Sequence, residues 1–156
     1  EPEELGMELS RGLWWKAGAF VTLHLGRRLR GCIGEIMPRR ELFRVVIERA
    51  VDAAVHDYRF PPLTPDELDR IDIEISVLTP PRPVDNWKEI ELGRHGIILE
   101  REGHSAVFLP QVAAEQGWDL EETLDNLAAK AGLPPGAWRE NARFTVFEAI
   151  VFGEER

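Results

Sequence analysis

An α+β fold is what the order of apolar patterns in this chain predicts, and three kinds of stretch carry that prediction. Two β-type runs, Phe20–Leu25 and Leu29–Gly34, stand near the start, an alternating run, Ile71–Val77, lies in the middle, and a β-branched and aromatic run, Arg143–Phe152, lies near the end. Between them apolar residues recur every three or four positions, as helices require. Strands near both ends around a helical middle put the two ends in one larger lobe, about 1–83 plus 142–156, and make about 84–141 an inserted smaller lobe. A chain of 156 residues suits a single domain of this kind and buries a core without disulfide or metal.

Taken in order, residues 3–15 are weakly patterned; Leu5, Leu9, Leu13 and Trp14 fit a short helix or an extended arm. Gly26-Arg27-Arg28 joins the first two strands as a tight antiparallel hairpin with Gly26 in the turn. Leu42, Val45, Val46, Ala50, Ala53 and Ala54 then define an amphipathic helix of about four turns, narrowed to alanine at its C-terminal end. Pro61 and Pro62 stop it, and Thr64-Pro65-Asp66-Glu67 opens a short second helix with a capping box.

Ile71, Ile73, Ile75 and Val77 alternate with polar residues and predict a strand with one buried face. Pro80, Pro81 and Pro83 form a stiff link, expected to be the hinge between the lobes, with Trp87 as an anchor beyond it. Strands are predicted at Ile97–Leu99 and Ala106–Leu109, a helix from Pro110 to Gly117, and another whose Leu120, Leu124, Leu127, Ala128 and Ala131 line one face. Arg143–Phe152, apolar on both faces, reads as one long, well-covered strand.

Composition narrows the function. Nineteen basic against 28 acidic side chains give a net charge of −9, unfavourable for nucleic-acid backbone, although Arg27, Arg28, Arg30, Arg39 and Arg40 form one local basic cluster. A lone cysteine fits a reducing cytoplasm, no apolar run reaches the roughly 18 residues that span a membrane, and the acidic first residues are unlike a signal peptide. His24, His56, His95 and His104 show no ligand spacing, and no nucleophile elbow, phosphate loop or dinucleotide fingerprint is present, so neither metal nor cofactor is expected.

One stretch concentrates the chemistry: Leu29-Arg30-Gly31-Cys32-Ile33-Gly34. Strand alternation places Arg30 and Cys32 on one face and Leu29, Gly31 and Ile33 on the other. Gly31 and Gly34 weaken a strand and suit a place where something approaches the backbone, a ligand among the candidates. Cys32 as a small buried hydrophobe beside a surface arginine comes first on chemistry alone.

The hexapeptide resembles the signature of the AMMECR domain, known in prokaryotes as AmmeMemoRadiSam system protein A. Asp57–Thr64, Ile73–Leu78, Gly93–Ile97, Leu109–Val112 and Glu115-Gln116-Gly117-Trp118 resemble that family's further motifs in its order. Tyr58 and Glu35 depart from the family pattern, which has a small residue or proline, and Ser or Thr, at those places. The resemblance implies two antiparallel β-sheets with flanking helices, one in each lobe, with the signature facing a cleft between them. It also implies an additional N-terminal helix, which this chain starts too late to contain whole.

The polar residues within the matching motifs are Arg30, Cys32, Asp57, Arg59, His95, Gln111 and Glu115. Asp57 and Arg59 pair with each other or cap the preceding helix, or Arg59 anchors a ligand in the cleft. His95 is a turn residue or a proton carrier. Gln111 and Glu115 lie four apart on one helix face, as a groove wall or a solvated face.

Two functions of different class are open. A non-catalytic protein would bind a peptide or partner protein in the cleft, a Memo-type or radical-SAM protein being the partner that the family's association in many genomes suggests. An enzyme would use Cys32 on a large substrate, with Arg30 lowering the thiol pKa and His95 or Asp57 moving protons. RNA binding is a third, opposed by the acidic charge.

Overall fold

The structure, a computed structural model, describes residues 9–154. Eight strands form two four-stranded antiparallel sheets, in the orders β2-β1-β3-β8 and β4-β7-β5-β6. The chain divides into two compact units, one running to Pro80 and resuming at Ile150, the other Pro81–Ala149.

In the first unit β1 (Gly18–Leu25) and β2 (Arg28–Glu35) form a hairpin whose turn is made by Gly26 at φ 64, a left-handed value that suits glycine. β1 also pairs antiparallel with β3 (Ile71–Leu78). Helix α1 (Leu42–Val55) covers one sheet face, where Val21, Leu23, Ala53 and Ile71 form a core with Ile33, Val46, Ala50, Leu63 and Ile73 beside them. Helix α2 (Pro65–Leu68) begins with the capping box of Thr64 and Glu67. The weakly patterned start resolves into a 3-10 turn, Arg11–Trp14, with Trp14 edge-on to Phe43 at 4.7 Å; Leu5 lies outside the described residues.

The second unit holds β4 (Arg82–Val84), β5 (Gly96–Arg101), β6 (His104–Phe108) and β7 (Arg143–Phe147), with α3 (Val112–Gln116) and α4 (Leu120–Lys130). The proline link is thus not only a linker: Arg82–Val84 pairs with β7 as an edge strand, where Pro83 leaves no ladder donor missing toward a further neighbour. Ile97, Leu99, Leu124, Leu127, Trp138, Phe144 and Val146 make the core, and Trp87 lies edge-on to the buried Trp138 at 4.9 Å.

One expectation is corrected. Arg143–Phe152 is two strands, β7 and β8 (Ala149–Gly153), broken at Glu148 and assigned to different sheets. Only β7 is central and covered; β8 is an edge strand with Ile150, Val151 and Phe152 all at least 48% exposed.

Candidate functional site

The signature occupies β2, an edge strand, and most of its features are explained by what lies against that edge. Cys32 stands opposite Thr22 of β1, and Thr22 stands opposite Glu74 of β3, so one polar row crosses three strands. The Cys32 thiol Sγ lies 3.2 Å from Thr22 Oγ1. Its backbone is closed from the outside. The N–H of Cys32 donates to Asp57 Oδ2 at 3.0 Å, and Arg59 Nη2 donates to the Cys32 carbonyl at 3.2 Å. Asp57 and Arg59 are also bound to each other, Nε to Oδ1 at 3.0 Å and Nη2 to Oδ2 at 2.8 Å, while the Arg59 N–H donates to Oδ1 at 3.1 Å. A carboxylate and a guanidinium thereby take the place that a neighbouring strand would fill at Cys32.

Electrostatics follow from these contacts. Asp57 is 3% exposed, and the guanidinium of Arg59, aided by the N–H groups of Cys32 and Arg59, holds its pKa at about 2 against the opposing effect of burial. Burial pushes the Cys32 thiol above its ordinary value, outweighing the Thr22 hydroxyl and the Arg59 charge, which pull it down. The thiol is therefore protonated at neutral pH.

Arg30 does not play the part expected of it. Leu23 opposes Gly31 while His24 opposes Leu29, so Arg30 is the extra residue of a bulge and simple alternation fails there. Its guanidinium binds Glu67 of α2, Nε to Oε2 at 2.8 Å and Nη2 to Oε1 at 3.0 Å, and reaches the Pro62 carbonyl at 3.4 Å. The same carboxylate accepts the Thr64 N–H, and Arg30 above all holds the Glu67 pKa at about 2. The cation acting on the thiol is Arg59.

The signature glycines also have internal reasons. A Cβ on Gly31 would stand 2.1 Å from the carbonyl oxygen of Ala53 on α1, and one on Gly34 would stand 2.4 Å from the Phe20 ring. The close approach is made by the protein's own helix and side chain, not by a ligand. Ile33 joins the core, whereas Leu29 is 41% exposed. Glu35, which adds an acid beside the signature, is bound by Arg40, which also binds Glu48.

The remaining candidates belong to the second unit. His95 is 3% exposed, and its Nδ1 accepts the Glu91 N–H at 3.0 Å. Burial, with Arg82 and Arg94, lowers its pKa. Gln111 stands at the N-cap of α3 without a side-chain capping bond, and Glu115 is exposed in the first turn. Cys32, Asp57 and Arg59 are thus brought together, Arg30 is tied to Glu67, and His95 is bonded within its own turn.

Thr22, Glu74 and Glu67 are the site residues that sequence reasoning missed. Glu67 is legible as a capping residue, and Glu74 as part of a polar strand face; their contact with the signature depends on register. Among the described residues no group of three or more His, Cys, Asp or Glu is placed to hold a metal ion, and no helix is long and apolar enough to cross a membrane.

Comparison with known proteins places this arrangement. A protein of Thermococcus gammatolerans is 46% identical over 154 residues, covering 92% of this chain and 75% of its own length. One of Methanopyrus kandleri is 49% identical over 150 residues, covering 90% of this chain and 72% of its own. The crystal structure of an uncharacterised protein from Pyrococcus horikoshii, 39% identical, matches 99% of this chain and 84% of that chain with a TM-score of 0.87. The AMMECR1 family model matches residues 2–152, so the chain that closes its signature strand with Asp57 and Arg59 belongs to the AMMECR1 family.

Proposed function

We propose that this chain is a non-catalytic binding protein whose first unit receives a peptide or a partner protein. The observation that carries this reading is the internal engagement of the signature. A covalent enzyme needs a free thiolate, a base beside it and an orienting group. Here the thiol is neutral beside Thr22, Asp57 is spent on Arg59 and on a backbone N–H, and Arg30 is spent on Glu67.

The outer side of α1 carries exposed apolar residues. Ile47, Val51 and Val55 follow one another at four-residue steps along α1, exposed by 51, 53 and 40%, and Tyr58, three residues on, is 94% exposed. Such a row lies along one side of a helix and suits an apolar segment of a partner. A Memo-type or radical-SAM protein is the partner class we favour, on the family association, and the lone thiol agrees with action in the cytoplasm.

Calorimetric titration with a purified Memo-type protein and a radical-SAM protein tests this. Val51→Glu and Tyr58→Ser are expected to weaken binding by about tenfold or more, the cost of losing an interface anchor, and Cys32→Ser to leave it unchanged. Loss of function in Cys32→Ser together with a covalent adduct on Cys32, seen by mass spectrometry, would establish the enzyme instead.

A further inference from the structure

Buried polar groups in native proteins find partners, so an exception asks for an explanation. His95 is one. Because the Glu91 N–H donates to its Nδ1, the neutral ring carries its proton on Nε2, and that Nε2–H is enclosed with no hydrogen-bond partner. The closest acidic group is the chain's own Glu91, whose Oε2 stands 4.0 Å away, about 1 Å too far for a bond. That same oxygen accepts Arg94 Nη1 at 2.7 Å.

The ring cannot simply move to close the gap. Shifting it toward the carboxylate would break the bond at Nδ1, the turn is held by the His95 N–H on the Glu91 carbonyl at 3.0 Å, and Gly96 is wedged so closely under Phe147 that a Cβ would lie 2.2 Å from its ring. Glu91, by contrast, is 57% exposed at its side chain and can swing away. The charges that act on the ring are two arginines and two glutamates. Arg94 is shared by Glu91 and Glu148, and Arg82, the neighbouring charge that acts most strongly on the ring, has no ion-pair partner among the described residues.

We propose that the His95 Nε2–H and the Arg94 guanidinium form a carboxylate-binding site, that Glu91 occupies it as a half-seated internal ligand, and that an external carboxylate displaces Glu91 and seats about 1 Å deeper, bonding both groups. The chemistry fits either a free small carboxylate or an acidic side chain of a protein. It is independent of the surface proposed on the first unit, because no residue is shared.

The test is nuclear magnetic resonance of the full chain with nitrogen-15 in its histidines, titrated with sodium acetate and with an acetylated aspartate-containing tripeptide, and with sodium chloride at matched ionic strength. In Glu91→Ala, acetate is expected to shift the His95 Nε2–H resonance saturably, with an affinity about fivefold tighter than in wild type, the size of the exposed ion pair removed. Adding Arg94→Gln should abolish the shift. Glu91→Gln provides the same backbone N–H to Nδ1 if the alanine variant fails to fold. A response to the tripeptide but not to acetate supports the site and assigns it to protein side chains; a response to both assigns it to carboxylates generally. No response to either in a folded variant, or an equal response to chloride, overturns the proposal.

Discussion

Asp57 Oδ2 accepts the backbone N–H of Cys32 at 3.0 Å, twenty-five positions away in the chain, while Arg59 holds the same carboxylate and reaches the Cys32 carbonyl. The pair acts as a short substitute for a missing strand. Asp57→Asn keeps the shape and removes the charge, leaving a guanidinium facing an amide and weakening the edge. We expect a loss of about 2–3 kcal/mol in urea unfolding. Arg59→Ala should cost at least as much, because it leaves the carboxylate of Asp57, 1% exposed at its side chain, without its cation. A change within 0.5 kcal/mol for Asp57→Asn would refute the clamp, that being the range of ordinary surface substitutions.

Acid should act through the same carboxylate. The folded pKa of Asp57, about 2, lies below its ordinary value of 3.8, so its contribution is complete above the ordinary value and disappears as pH falls toward 2. Glu67, held at about 2 by Arg30, has the same sign. Unfolding midpoints measured from pH 5 down to pH 2 should fall steeply for wild type. Asp57→Asn should flatten the curve by about 1–2 kcal/mol over that interval, the larger figure being reduced for the exposure of Arg59.

Cys32 should be slow to alkylate. Its thiol is held protonated by burial, and Arg30 is committed to Glu67, so iodoacetamide at pH 7 should react more slowly than with free cysteine and no faster or slower in Arg30→Gln. The rate should climb when the protein is unfolded in urea. A fast native reaction that slows in Arg30→Gln would restore the thiolate of the covalent-enzyme alternative.

Gly31 offers a steric test. Its missing side chain admits the Ala53 carbonyl of α1, and a Cβ at 2.1 Å from that oxygen forces helix and strand apart. Gly31→Ala should cost about 3 kcal/mol or more, or prevent folding. Gly136→Ala, where a Cβ would meet nothing within 4 Å, should leave the thermal midpoint within about a degree or two.

Much of the fold is legible in local pattern, because period and punctuation are properties of neighbouring residues. The period-2 run Ile71–Val77 is contained in β3, the three-and-four spacing from Leu42 is α1, and Thr64 with Glu67 caps α2. Ala53, one of the alanines that narrow the end of α1 in the sequence, is where the helix comes so close that Gly31 has no room for a Cβ. The pairing of Asp57 with Arg59 was among the readings their spacing allowed.

What the residues determined by themselves was therefore which segments become strands and helices. Only the tertiary structure decided that Arg143–Phe152 breaks at Glu148 into strands of two different sheets, because an apolar run shows neither where the chain passes from one sheet to the other nor how much of it is then covered. Only it decided that Arg30 belongs to Glu67 and the Cys32 backbone to Asp57 and Arg59. One extra residue in β2 cancels the alternation from which a shared face for Arg30 and Cys32 was inferred, and such a bulge is set by how the hairpin seats on α1 and α2. A backbone hydrogen bond across 25 positions and an ion pair across 37 are chosen by that seating, which no local spacing encodes.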